Sequence, residues 1–195
     1  MTARLGLALA LTMAPVSMAR ADGPAAGDET VHDGWLFGRA QVGLMLQAAE
    51  RNDGNDFGVG GDFDLGVRLR PNLFLFAEYS GRSGVGIDST TYGAAAFGPG
   101  VTYYGPSDFF VSSSFHLFKA TWDDANGGTG THTSGDLTDW GLGGSVALGK
   151  EWWNRGLGSG VSVIISFAQA PRLDSSDWTS FYGCMVAWSN TINLF

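Results

Sequence analysis

The sequence predicts an all-β protein: an eight-stranded antiparallel up-and-down transmembrane β-barrel with short periplasmic turns and longer extracellular loops. Three observations predict it. Large apolar residues alternate with small or polar ones over long stretches, no apolar run after the N-terminus is long enough for a membrane helix, and short connections alternate with long ones. A barrel in lipid turns its apolar side chains outward, which is the inverse of a soluble sandwich.

The clearest alternation covers residues 140–167. One parity carries large apolar side chains, while the other carries Gly, Ser, Ala and Glu151. The apolar set is Trp140, Leu142, Val146, Leu148 and Trp152, then, after Asn154-Arg155, Leu157, Val161, Val163, Ile165 and Phe167. Period-2 alternation of this kind predicts two strands, the sixth and seventh, joined by a tight turn.

The N-terminus has the features of a cleaved signal peptide. Arg4 is followed by the short apolar run Leu5–Val16 and by the small-x-small triplet Ala19-Arg20-Ala21. The run is too short to span a bilayer, which disfavours the alternative of a membrane anchor. We therefore predict a signal peptide at residues 1–21, a disordered acidic leader at 22–33 and the barrel at 34–195.

The charge and the cysteine content narrow the possible partners. Cleavage removes Arg4 and Arg20 and takes the formal net charge from −8 to −10. Such acidity disfavours nucleic acid and docking on anionic lipid through a basic patch. Cys184 is the only cysteine, so no intramolecular disulfide forms, and its parity predicts a small side chain on a strand.

Alternation predicts six further strands. They are Trp35–Gln47, Asp62–Arg70, Leu73–Arg82, Thr91–Tyr104, Phe109–Thr121 and Trp178–Phe195. Phe74 and Phe76 break the alternation of the third of the eight. Phe195 resembles the terminal aromatic residue that the outer-membrane insertion machinery recognises. The apolar parity of the last strand ends at Leu194 instead, which implies either a bulge that shifts the parity or a degenerate insertion signal.

The connections between the predicted strands alternate in length. Tight turns are expected at Pro71-Asn72, Gly105–Asp108 and Asn154-Arg155. Longer polar loops are expected at Glu50–Gly61, Ser83–Thr90, Asp123–Leu137 and Ala170–Ser176. This asymmetry, with an even strand number, places both termini on the periplasmic side.

The residues that alternate with the outward apolar ones face the lumen, and the charged members of this set predict a charge network there. Its members are Arg39, Asp62, Asp64, Arg68, Arg70, Glu78, Arg82 and Glu151. Because buried charges need partners, we interpret them as structural ion pairs and hydrogen bonds, with a gate for ions as the alternative. His116 is expected to be a hydrogen-bonded filler of the same lumen.

Aromatic residues cluster near the predicted strand ends. The predicted girdle comprises Tyr103, Tyr104, Phe109, Trp152 and Trp153 near the turns, and Trp122, Trp140 and Trp178 near the loops. Aromatic rings at both membrane–water interfaces are typical of transmembrane barrels.

From Trp35 to Phe195 the chain resembles the small eight-stranded outer-membrane barrels of Gram-negative bacteria, the broad OmpA/OmpX-like group. Gly149-Lys150-Glu151-Trp152-Trp153 and Gly156-Leu157-Gly158 resemble the G-K-E-W-W, turn, W-G-L-G pattern of a largely uncharacterised barrel family. Arg155 stands where that family has tryptophan. Residues 100–104 resemble the group's G-x-x-Y-Y approach to a turn.

Two motifs resemble chemical sites. His132-Thr133-Ser134 resembles the H-x-S pair of outer-membrane enzymes that act on lipid A, but it falls in a Gly/Thr-rich loop with no orienting acid beside it. Asp53, Asn55, Gly58 and Asp64 match part of a calcium-loop spacing, but Phe57 stands at a ligand position. We expect no catalytic residue, metal or cofactor.

The predicted function is that of a non-enzymatic integral barrel of the Gram-negative outer membrane, structural or surface-binding through its extracellular loops. Expected partners are outer-membrane lipid, lipopolysaccharide and, during assembly, the barrel-insertion machinery. The alternatives are a narrow channel for small solutes, a lipid-A-modifying hydrolase on the same fold, and a soluble lipocalin-type barrel with an apolar cavity.

Overall fold

The eight-stranded closed barrel predicted from the sequence is confirmed. The computed structural model describes residues 34–49, 55–85, 90–124, 140–154, 156–171 and 178–194. Each strand pairs antiparallel with its neighbours in sequence, and the first pairs with the last. The strands are β1 (Leu36–Ala49), β2 (Asn55–Arg70), β3 (Leu73–Val85), β4 (Thr90–Tyr104), β5 (Phe109–Asp124), β6 (Gly141–Asn154), β7 (Leu157–Pro171) and β8 (Trp178–Leu194).

The three short connections all lie at one end, here called the turn end. Pro71 and Asn72 form a turn, and Pro106–Asp108 form one 3₁₀ turn. Gly156 follows β6 with φ +82°, a conformation that favours glycine. The other connections, residues 50–54, 86–89, 125–139 and 172–177, join strands at the opposite end, here called the loop end, and the one at 86–89 is as short as the connection at 105–108.

The strands reach further toward the loop end than predicted. The expected loop over residues 50–61 is wrong for its second half, because β2 already begins at Asn55. Phe57 and Val59 continue the outward apolar parity, with Gly58 and Gly60 between them on the inner side. Glycine and acidic residues suggested a loop, but here the glycines give room to inward side chains of neighbouring strands. β3, β5 and β7 likewise extend into segments predicted as loops, to Val85, Asp124 and Pro171.

The stagger of the barrel follows from the strand register. A row that starts at Phe37 passes through one residue of each strand and returns to β1 at Gln47, ten residues further along. Its members are Phe37, Gly66, Phe76, Gly100, Ser114, Ser145, Ser166, Gly183 and Gln47. Closure with such a stagger tilts the strands, and an eight-stranded interior is just wide enough for side chains to fill.

The outer surface of the barrel is apolar. Large hydrophobic side chains on every strand are half or more exposed, for example Leu44, Leu148 and Val186 at 59%, 60% and 61%. Cys184 is exposed on the same face as a free thiol. A lipocalin-type barrel would place its apolar parity inside, so this surface is the opposite of that alternative.

Large inward side chains lie over glycines of neighbouring strands. A Cβ at Gly149 would come within 2.5 Å of the Phe110 ring, and one at Gly158 within 2.9 Å of the Trp153 indole. Gly100 lies under the Phe76 ring in the same way. The glycine-rich inner parity is therefore the counterpart of the large lumen side chains, and small and large residues together fill the barrel.

Several predictions lie outside the described residues. They are the signal peptide, the acidic leader, the pair His132 and Ser134, and Phe195. Within the described ranges, no helix is long and apolar enough to cross a membrane.

Candidate functional site

The lumen is closed at the turn end by a layer of aromatic rings, here called the aromatic plug: Phe37, Phe74, Tyr104, Phe110 and Trp153. Phe37 and Phe74 are 5.0 Å apart between ring centroids, and Tyr104 lies 5.7 Å from Phe74, 5.7 Å from Phe110 and 5.9 Å from Trp153. Phe74, which breaks the alternation in the sequence, therefore faces inward. Its role is to fill the end of the barrel.

Arg39 lies directly above the aromatic plug and is almost fully buried. Its Nε and Nη2 atoms lie 2.8 and 2.7 Å from one oxygen of Asp64. Nη2 also donates to the hydroxyls of Thr102 and Ser112, at 3.2 and 2.8 Å. The guanidinium carbon is 4.7 Å from the centre of the Phe110 ring, which adds a cation–π contact in a desolvated site.

Phe76 is the second residue that breaks the alternation, and it flanks the same guanidinium. Its ring centre lies 5.7 Å from the guanidinium carbon of Arg39. Phe37 flanks Arg39 as well, at 5.4 Å. The inward aromatic residues of β1, β3 and β5 thus surround the buried cation, and together they block the lumen.

Glu151 is a buried carboxylate held by hydroxyl donors. Tyr104 donates to its Oε2 at 2.8 Å, while Ser189 and Thr191 donate to Oε1 at 3.1 and 2.7 Å. Ser189 and Thr191 lie on the parity of β8 that is polar in the sequence. That parity needs no bulge, because its hydroxyls face the lumen and bind Glu151.

The middle of the lumen contains further polar pairs. Arg82 Nη1 lies 2.6 Å from Asp62, and His116 Nε2 lies 3.0 Å from Glu78. Elsewhere in this layer, Gln41 donates to Ser162 at 2.7 Å, and the hydroxyls of Ser114 and Ser145 are 2.8 Å apart. These contacts connect strands that are not always adjacent, so they stabilise the cross-section of the barrel.

The loop-end half of the lumen is more apolar. Phe118 and Phe181 meet with ring centroids 5.0 Å apart, although β5 and β8 are separated by two strands. The β6 and β7 residues paired beside these rings are small, with Gly141 opposite Phe118 and Ala168 opposite Phe181. A cavity of about 40 Å³ lies beside this ring pair.

Six of the eight charged residues predicted for the lumen take part in the contacts above, and two differ. Arg68 is half-buried near the turn end, and its backbone nitrogen donates to the carbonyl of Trp35 at 2.9 Å. Arg70 is exposed and does not belong to the lumen. The register of β2 and β3 shifts between Arg68 and Arg70, and this bulge takes Arg70 out of the inner parity.

The predicted aromatic girdle needs two corrections. Tyr103, Phe109, Trp140, Trp152 and Trp178 are exposed on the outer face. Tyr104 is buried and Trp153 packs on the buried cluster, so both belong to the aromatic plug instead. In each adjacent pair, Tyr103-Tyr104 and Trp152-Trp153, the strand pleat sends one ring out and the other in. The side chain of Trp122 lies outside the described residues.

The Gly149-Lys150-Glu151-Trp152-Trp153 motif has a packing role at each position. Gly149 makes room for Phe110, and Lys150 lies on the outer face with its Nζ 4.9 Å from the Phe109 ring centre. Glu151 is the buried acceptor, Trp152 points outward and Trp153 points into the aromatic plug.

The described residues contain no group of three or more His, Cys, Asp or Glu side chains that could hold a metal ion. Of the calcium-loop spacing, Asn55, Gly58 and Asp64 all belong to β2, and Asp64 is engaged by Arg39. Asp53 lies outside the described residues.

The partners of the buried charges were not singled out from the sequence, although their inner parity was a usable signal. These partners are Thr102, Ser112, Ser189 and Thr191.

Comparisons with known proteins identify the fold. No family model matches the sequence, and no curated protein matches it. Among solved structures, neisserial surface protein A (NspA) has a TM-score of 0.63 at 12% identity, over 82% of this chain and 97% of that chain. Ail, the attachment invasion locus protein of Yersinia pestis, has a TM-score of 0.49 at 8% identity, over 82% and 99%. The chain therefore has the fold of NspA, a closed eight-stranded antiparallel barrel.

Proposed function

We propose that this protein is a non-enzymatic integral barrel of a Gram-negative outer membrane, with a sealed lumen and with its longer loops displayed at the cell surface. The observation that carries the proposal is the combination of an apolar outer face with a lumen filled by the aromatic plug and the buried ion pairs. Closed barrels suit lipid because every strand edge is paired. A filled lumen favours a structural or surface-binding role over transport.

Polar groups on the outer face support the position of the turn-end interface. Lys150 extends along the Phe109 ring, and the Ser159 hydroxyl donates to Asn190 at 2.9 Å, both close to the turn end. A lysine stem lying on apolar surface with its ammonium at the interface is the arrangement expected of a snorkelling side chain. The predicted signal peptide and the turn-loop asymmetry support a turn end that lies in the periplasm.

The loops are the proposed binding elements. The connections at residues 50–54, 86–89, 125–139 and 172–177 leave the same end of the barrel, and loops on a rigid scaffold commonly carry binding functions. Lipopolysaccharide and surface proteins are the proposed partners, and barrel-insertion machinery acts during assembly. Membership of the family with the G-K-E-W-W motif remains a prediction from the sequence.

Conductance in planar lipid bilayers tests the sealed lumen. The wild-type protein should give no conductance steps, and neither should Phe118→Ala/Phe181→Ala, because that variant leaves the aromatic plug and Arg39 intact. The protein is delivered to the bilayer from lipid vesicles, and heat-dependent gel mobility of protein recovered from these vesicles verifies that it is inserted. An open porin is the positive control for conductance. Reproducible steps from the wild type would favour the narrow channel instead.

A further inference from the structure

The cavity of about 40 Å³ lies between the middle polar pairs and the Phe118–Phe181 ring pair. One water molecule occupies about 10–15 Å³ in this measure, so the cavity has room for about three. Five polar side chains line it, together with apolar ones that include both rings. The polar set is Gln47, Ser80, Arg82, His116 and Ser166.

Most of these polar side chains have unused hydrogen-bonding capacity. Gln47 and Ser80 are only 7% and 5% exposed. Neither they nor Ser166 form a side-chain hydrogen bond within the described part of the chain. All three side chains border the same cavity, so a small molecule inside it is within reach of their polar atoms.

The charged members keep donors or acceptors for the cavity as well. Arg82 uses Nη1 for Asp62 and for the carbonyls of Gly61 and Gly81, at 2.6, 3.0 and 3.2 Å. The other terminal nitrogen, Nη2, forms no hydrogen bond with a described residue. His116 directs its Nε2 atom to Glu78, so Nδ1 is the ring nitrogen that remains for a molecule in the cavity. A ligand in the cavity therefore meets amide, hydroxyl, imidazole and guanidinium groups.

The charge balance selects an uncharged ligand. Arg82 is neutralised by Asp62, and His116 faces the carboxylate of Glu78. Because these two carboxylates lie behind the cavity wall, they offset the attraction of Arg82 for an anion. A cation is repelled by the guanidinium of Arg82. Phe118 and Phe181 add apolar faces that suit carbon-bound hydrogens.

We propose that this cavity is a binding site for a small uncharged polar molecule, a polyol or a urea-type amide of roughly three to six non-hydrogen atoms. The ligand enters from the loop end, because the aromatic plug and Arg39 close the other side. The site is separate from any partner of the loops and does not depend on it.

Nuclear magnetic resonance titration of the full-length barrel in lipid nanodiscs tests the proposal. Glycerol and urea are the probes, acetate is the charged comparison, and backbone amides near Gln47, Ser80 and Ser166 report binding. We expect saturable shifts with glycerol or urea at about millimolar dissociation constants, and no saturation with acetate. Gln47→Leu should raise the dissociation constant about tenfold or more, because it removes the amide but keeps the bulk.

A matched pair of alanine-to-leucine substitutions, one in the cavity and one on the outer face, controls for effects on folding. Ala168→Leu places bulk in the cavity and should abolish saturation, whereas Ala77→Leu on the outer face should leave it unchanged. Non-saturating shifts with both neutral probes, or equal affinity in wild type and Gln47→Leu, would overturn the proposal. Saturation with acetate alone, or ordered water that neither probe displaces, would also overturn it.

Discussion

Replacing Arg39 by leucine will lower the free energy of unfolding by about 3–5 kcal/mol, the usual cost of breaking a buried ion pair. Both side chains of the Arg39–Asp64 pair are 1% exposed, and the contact is 2.7 Å. Without the guanidinium, Asp64 is left as a buried carboxylate with no cation at hydrogen-bond distance. Thr102 and Ser112 lose their shared donor at the same time.

Urea titration of the barrel folded in lipid vesicles measures this effect, with gel mobility of unboiled samples reporting the folded fraction. Arg70→Leu is the matched control: it is the same substitution at an exposed position, and its cost should stay within about 0.5 kcal/mol. Arg39→Leu/Asp64→Leu should recover a large part of the loss, because no unpaired charge remains. Equal unfolding midpoints for Arg39→Leu and Arg70→Leu would contradict the buried pair.

A second large effect is expected from Gly100→Val. A Cβ at Gly100 would contact the Phe76 ring and come within 2.9 Å of the carbonyl oxygen of Ser113. Phe76 is itself packed on Phe37 and Arg39, at 6.3 and 5.7 Å, so it cannot move away freely. Overpacking of this kind should cost about 1–3 kcal/mol in the same urea titration.

Gly81→Val is the control for Gly100→Val. Gly81 lies on the neighbouring strand β3 but on the outer parity, and a Cβ there would meet no atom within 4 Å. The valine would point away from the lumen, and the unfolding midpoint should stay close to the wild type. If both variants lose the same stability, a general effect of placing valine in these strands rather than ring packing would be the cause, and the lumen packing described here would be wrong.

Much of the fold could be predicted because parity is a local property of the sequence. Each strand has two chemically different faces, so the inward position of Arg39, Asp64, Glu78 and Glu151 follows from counting by twos. The turn chemistry of Pro71-Asn72 was equally local. The strand ends near the loops were less readable, because the Gly-rich start of β2 lacks the polar and apolar contrast on which alternation depends.

The pairings inside the lumen could not be predicted, because they depend on how far each strand is staggered against the next. The ten-residue stagger decides that Arg39 meets Thr102 and Ser112, which are far away in sequence. Their position at strand ends favours a girdle role for Tyr104 and Trp153, but their parity, the same as that of Thr102 and Glu151, is the signal that places both rings inside. Arg70 was misplaced because a bulge changes parity without a clear sequence signal.

The proposed function requires that the apolar outer face lies in the lipid of an outer membrane. Gel migration of a purified outer-membrane fraction, run in SDS with and without boiling, tests it most directly. We expect the protein in this fraction, and boiling should change its mobility, because a closed barrel stays compact until it is heated. Recovery in the soluble periplasmic fraction with no change in mobility would contradict it.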